Sequence, residues 1–280
     1  MDDAAGVTRR ALCFVEGEIG YLARLDTRPY RYVGQAPPGV AVEMGEREFR
    51  TMQVRIGWPH AAEFTLDDVG FAMTCGEYPT SFEAFEEVEA VRADYYREME
   101  AVVVAKTGAA GAIAFDHNVR HAPRGAAGEA IGKPARIAHN DYTDWSAPQR
   151  VRDLLGEKAA AQVFRRRYNF INLWRPLLEP LRDAPLAVCD ARSVAAGDLI
   201  VSDLIYPDRR GEIYQMFHNP HHRWYFFPEM RRDDLLFIKC FDSLTDGRAR
   251  CSAHTAFDDP STPRDSPSRY SIEVRTLVTW

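Results

Sequence analysis

The sequence predicts an α+β fold: a double-stranded β-helix, the jelly-roll or cupin-like sandwich, with helices buttressing one sheet. Three observations predict it. From Tyr168 onward, short apolar or aromatic runs recur between turn residues, the spacing of an antiparallel sandwich. Helical periodicity is confined to the part of the chain before Tyr168, so helices come early and strands late. No linker-like stretch divides the 280 residues, a length that suits one large domain with a sizeable core. We therefore expect a single domain over 1–280, with N-terminal strands and a buttressing helix in 1–110 and the jelly-roll core in 111–280.

The elements follow in order. The first 70 residues are mixed, with strand-like pieces such as Gln53–Gly57. After Pro79, Thr80 and Glu83 have the spacing of a capping box. Phe85, Val88, Tyr95, Met99 and Val102 then fall at helical spacing, and Gly108 is the stop. Gly111–Asp116 reads as a strand, 121–134 as a loop rich in Gly, Ala and Pro, and Pro148–Arg166 as a second helix. The later strands are expected at Phe170–Trp174, Leu186–Cys189, Leu199–Leu204, Arg223–Phe227, Leu235–Phe241, Arg250–Phe257 and Tyr270–Trp280.

Charge and composition narrow the function. With 35 basic and 41 acidic residues the net charge is −6, which argues against nucleic acid as a partner. The basic cluster Arg165–Arg167 reads as a solvated helix end. The acidic start lacks the apolar segment of a signal peptide, and no run approaches the roughly 20 apolar residues of a membrane span. Five scattered cysteines without a CxxC pair read as reduced thiols. We expect a cytoplasmic protein that acts on a small molecule, with no membrane partner; a homodimer is compatible with these features.

The chemistry rests on three pieces of sequence. In His139-Asn-Asp141 an imidazole and a carboxylate alternate onto one strand face. A lone HxD carries little weight. His254 follows 115 positions later in another strand-like run, and Arg269-Tyr-Ser271 opens the last strand. Two histidines and one carboxylate form the facial triad of non-haem iron(II) oxygenases, which leaves three coordination positions open. Two suit the chelating end of 2-oxoglutarate and one suits O₂. The far carboxylate of that co-substrate needs a buried counter-charge, which the fork of Arg269 offers, with the Ser271 hydroxyl beside it. Arg275 is the rival anchor. Asp141 argues against halogenation, because a halide would need the carboxylate's position.

On these residues the chain resembles the family that includes fungal gibberellin desaturases and the bacterial cephem methoxylase component. The resemblance is carried by Phe115–Arg120, His139–Thr143, Asn172–Pro176, His222–Tyr225, Lys239–Ser243, His254–Phe257 and Arg269–Arg275, over the last two-thirds of the chain. It implies a double-stranded β-helix, iron(II) at His139, Asp141 and His254, and 2-oxoglutarate and O₂ as co-substrates. The implied reaction is hydroxylation or desaturation of a metabolite in natural-product biosynthesis, with release of succinate and CO₂.

Other residues carry two readings each. Asn172 and Arg175 either contact the cofactor carboxylate or belong to a packing strand with Trp174. Asn118, Arg120, Arg223 and Tyr225 either edge the substrate pocket or form polar strand faces. Tyr142 reads as packing, and His218, His221 and His222 as a turn rather than a second metal site. Two other functions compete: a zinc-dependent hydrolase on the same ligands, and a non-catalytic accessory jelly roll of a methoxylation-type system.

Overall fold

The computed structural model describes residues 13–80, 85, 87–127 and 131–280. Two sheets face each other. The larger contains β1 (Phe14–Leu22), β2 (Tyr30–Tyr32), β3 (Arg47–Ile56), β6 (His139–Asn140), β8 (Leu186–Cys189), β9 (Leu199–Ile205), β10 (Arg210–Met216), β11 (Trp224–Phe226) and β13 (His254–Ala256). Their order is β1-β3-β11-β8-β13-β6-β10-β9-β2. The smaller sheet contains β4 (Phe71–Cys75), β5 (Gly111–His121), β7 (Tyr168–Pro176), β12 (Asp234–Asp242) and β14 (Tyr270–Thr279), in the order β4-β12-β7-β14-β5. This is the jelly-roll sandwich that the sequence predicts.

β7 shows why the smaller sheet is so apolar. All nine of its residues are buried, because both faces are covered. Phe170 and Trp174 point into the sandwich with Leu236 and Ile238. Ile171 and Leu173 point outward, against Tyr95, Met99 and Val103. Those three come from the buttressing helix, whose first turn α1 (Val88–Ala90) passes through a π turn (Val91–Tyr95) into α2 (Tyr96–Thr107). Gly108 ends it in the left-handed conformation, with φ 66°. Glu83 of the expected capping box lies outside the described residues.

Several boundaries differ from the sequence reading: β5 runs on to His121, and β13 spans only His254–Ala256 of the expected Arg250–Phe257. The 121–134 loop carries a short helix, α3 (Ala122–Ala126). The second long helix, α4 (Ser146–Val163), starts earlier and breaks at Gly156, φ 74°. β10 was not expected at all, since Arg210-Gly-Glu lacks the apolar start of the other strands. Among the described residues no helix is long and apolar enough to cross a membrane.

Candidate metal and co-substrate site

The site lies between the sheets. On the larger sheet, β6 is only two residues long but is clamped on both sides. His139 pairs with His254 of β13 and with Gln215 of β10. Directly opposed residues in an antiparallel pair share a face, so both imidazoles and Gln215 turn inward. The two rings stand 4.6 Å apart. Asn140 points the other way, fully buried, and donates to the carbonyls of Tyr142 (2.7 Å) and Cys240 (2.9 Å). Those bonds fix the turn that swings Asp141 back beside His139. Gly20 lets the preceding chain approach: Ala138 N–H donates to the Gly20 carbonyl at 2.8 Å, and a Cβ at Gly20 would overlap the Arg136 carbonyl.

The ligating atoms of His139, Asp141 and His254 all lie within 4.8 Å of one another. His139 Nδ1 is 2.8 Å from the Ile137 carbonyl. An acceptor there places the proton on Nδ1 and leaves Nε2 bare, 3.6 Å from Asp141 Oδ1. Burial and the neighbouring His254 push the His139 pKa down to about 4, which keeps the ring in its neutral, ligating form. Burial alone would raise the Asp141 carboxyl, but Arg275 and the two histidines hold it well below the usual carboxylate range. Two imidazole nitrogens and one carboxylate oxygen are a donor set that fits a divalent iron.

The smaller sheet supplies the opposing wall. Along β14, Arg275 lies opposite Asn172 of β7 and Asp116 of β5, Glu273 lies opposite Trp174 and Asn118, and Ser271 lies opposite Pro176 and Arg120. Asn172 donates to Asp141 Oδ2 at 2.8 Å and Arg275 Nε donates to the same oxygen at 2.9 Å. Oδ2 is therefore fully occupied, and Oδ1 is the oxygen left to face the histidines. Asn172 thus holds the acidic member of the triad; the contact with a cofactor carboxylate expected for it is not what its amide makes.

The two candidate arginines have opposite surroundings. Arg275 is surrounded by carboxylates: Asp141, Asp116 at 2.8 Å and Glu273 at 3.2 Å. With its amide oxygen turned to the guanidinium, Asn118 also accepts from Arg275, at 2.6 and 2.9 Å. Arg269 is more deeply buried than Arg275, but among the described residues no carboxylate lies within ion-pair distance of it. Its Nε donates to Ser271 Oγ and its Nη1 to the Ala184 carbonyl, both at 2.9 Å, and its guanidinium lies 4.9 Å over the Trp174 ring. Burial, then the charge of Arg120, lowers the Arg269 pKa to about 9. The Trp174 indole N–H below it is buried without a partner. A buried cation without a carboxylate and a buried indole N–H without an acceptor, among the described residues, are the surroundings a carboxylate would complete. The residues present fit a dicarboxylate co-substrate.

The remaining site residues divide. Arg120 faces the site from β5, donating to the Lys133 carbonyl at 3.2 Å, and among the described residues no carboxylate is paired with it. Arg175 is on the other face. It follows Trp174 by one position, so it points outward into a cage of Tyr78, Phe85 and Tyr95; the cofactor contact expected for it is corrected. Arg223 pairs with Asp190 at 3.0 Å. Tyr225 shares a face with Val188 and His254, yet it packs two strands away from His254, against Phe64 and Phe71. In the described structure Arg223 is held in an ion pair and Tyr225 in an aromatic cluster. His222 is buried on Asp198, 3.1 Å away. Sequence reasoning missed Gln215, whose buried Oε1 has no partner among the described residues, because β10 itself was not legible.

A family model described as an oxidoreductase/YMDC permease-like domain matches residues 19–279. The chain is 34% identical over 241 residues to the hydroxylase/desaturase efuI of Hormonema carpetanum, covering 78% of this chain and 79% of that one. It is 36% identical over 197 residues to the Fe(II)/2-oxoglutarate-dependent dioxygenase nvfI of Aspergillus novofumigatus, covering 69% of each. A solved structure of the iron and alpha-ketoglutarate-dependent endoperoxidase NvfI superposes with a TM-score of 0.85 at 28% identity, over 95% of this chain and 98% of that one. The chain therefore belongs to the oxidoreductase family of Fe(II)/2-oxoglutarate-dependent hydroxylases and desaturases.

Proposed function

We propose that this chain is an Fe(II)- and 2-oxoglutarate-dependent oxygenase in which His139, Asp141 and His254 hold the iron and Arg269 with Ser271 holds the far carboxylate of 2-oxoglutarate. When bound, iron with 2-oxoglutarate and O₂ supplies the oxidising power for a C–H bond of a small metabolite, and the co-substrate leaves as succinate and CO₂. The chain's own residues do the positioning. Asn172 and Arg275 fix Oδ2 of Asp141 and so turn Oδ1 toward the histidines. The Ile137 carbonyl fixes the tautomer of His139. Asn118 and Arg120 form part of the substrate wall, and Arg120 favours a substrate rich in oxygen.

The observation that carries this reading is the contrast between Arg269, buried without a carboxylate, and Arg275, held by three. A zinc hydrolase has no use for the first. The competing accessory role predicts no turnover by the isolated protein. The test supplies iron-loaded protein with ¹⁸O₂, 2-oxoglutarate and candidate metabolites, and follows succinate and product mass. Oxidation at full rate without 2-oxoglutarate would refute the assignment, as would normal 2-oxoglutarate binding by Arg269→Ala. We place the enzyme in the cytoplasm, in keeping with its five free cysteines.

A further inference from the structure

A cleft of about 130 Å³ opens against Asp141 and Arg275. Its walls come from three places: the start of α4, the β9–β10 hairpin, and the β5–β14 pair at Asp116 and Arg275. Among its mostly charged and polar walls stand three aromatic residues, Tyr142, Trp145 and Tyr206. Trp145 is 50% exposed, a large apolar surface left open beside the site. Tyr142 lines the cleft and stacks on Phe170, centroids 4.3 Å apart, and its hydroxyl makes no hydrogen bond among the described residues.

The charges around the cleft are mostly satisfied. Asp116 and Asp141 are paired with Arg275. Glu212 is held by Arg28 and accepts from Thr143. Asp153 accepts from Gln149, and Arg210 is paired with Asp203. Two cations remain. Arg150 lies 4.9 Å over the Phe115 ring and Arg209 lies 3.9 Å over Tyr206, and neither has a carboxylate partner among the described residues. Of the two, Arg150 is the less exposed.

We propose that this cleft is a recognition site for a ring-bearing carboxylate, the ring entering between Tyr142 and Trp145 and the carboxylate meeting Arg150 and the Tyr142 hydroxyl. The volume matches a single ring: an apolar cavity of about 150 Å³ binds benzene. The rest of the ligand then lies at the open mouth. An arginine already stacked on an aromatic ring is pre-oriented, so it loses little freedom on pairing with an anion. Tyr142 becomes a specificity residue, where the sequence reading gave it packing alone; its ring stacks on Phe170 and the residue lines the cleft. The substrate role of the cleft rests on the proposed iron site, because Asp141 is the one proposed iron ligand that lines the cleft.

The test uses two flat probes of equal size, 2-naphthoate and 2-naphthamide, titrated by calorimetry into iron- and 2-oxoglutarate-loaded protein without O₂, and repeated on metal-free protein. Naphthoate is expected to bind about tenfold or more tightly than the amide, the contribution of a hydrogen bond to a charged partner. Arg150→Gln is expected to abolish that preference while leaving 2-oxoglutarate affinity as it is, and Tyr142→Phe is expected to reduce naphthoate affinity several-fold. Equal affinity for the two probes, no binding of either, or a preference that survives Arg150→Gln overturns the proposal. Failure of the iron site is a separate result: 2-oxoglutarate then does not bind the wild-type protein, while the preference for naphthoate persists without metal.

Discussion

Replacing each arginine of the site by methionine should destabilise the fold at one position and not at the other. Arg275 is 17% exposed, and two of its carboxylates, Asp141 and Glu273, are 10% and 12% exposed. Arg275→Met leaves both buried and uncompensated, at a cost of about 3–5 kcal/mol. The ion pair to half-exposed Asp116 adds little. For a chain of this size each kcal/mol moves the melting temperature by about 2–4 °C, so a fall on the order of 10 °C is expected. Arg269→Met loses hydrogen bonds to Ser271 and Ala184, worth about 1 kcal/mol each. It also loses the cation–π contact with Trp174, worth about 1 kcal/mol. Against that stands relief from burying an unpaired cation, several kcal/mol in the other direction. The net change lies within about 2 kcal/mol of zero. For 2-oxoglutarate, Arg269→Met removes a buried charge pair worth about 3–5 kcal/mol, or two to three orders of magnitude in Kd. Urea unfolding of metal-free protein and anaerobic calorimetry with iron and 2-oxoglutarate measure the two effects. If Arg269→Met destabilises the fold as strongly as Arg275→Met, or if only Arg275→Met abolishes co-substrate binding, the assignment of the two arginines is wrong.

Three further outcomes are expected. His139→Ala, Asp141→Ala and His254→Ala should each sharply weaken iron(II) binding, read by equilibrium dialysis; unchanged affinity in all three would remove the metal site. Asn172→Ala leaves Asp141 Oδ2 with Arg275 alone, and iron affinity should fall about 10–100-fold with the fold intact by circular dichroism. Gly20→Ala drives a methyl into the Arg136 carbonyl, so β1 or the chain leading to His139 must shift; a loss of about 1–3 kcal/mol in urea unfolding is expected, together with weaker iron binding.

Much of this protein was legible in order along the chain. The late strands were visible because the two faces of a sheet alternate in sequence, and Leu186–Cys189 was placed at its observed bounds. The same alternation put Arg269, Ser271, Glu273 and Arg275 on one face and paired His139 with Asp141. The order HxD, distal His, RxS then implied the chemistry, because each residue type answers a need of the metal or of its co-substrate. Alternation could not say what lies across from a face. That Asn172 and Arg275 converge on one oxygen of Asp141, leaving Arg269 unpaired, depends on the register of β7 against β14 and on how closely the two sheets approach. Arg175 was misplaced because polarity marks a residue for a site only if its strand has one buried face. β7 is covered on both, and a cation can be buried against aromatic rings instead. β10, Gln215 and the cleft beside Asp141 were invisible for a related reason: a hairpin rich in arginine and glycine has no apolar signature, and it becomes a wall only when the sheet curls and brings it within reach of α4. Local sequence determines which way a side chain points, whereas the packing of segments far apart in the chain decides what it meets there.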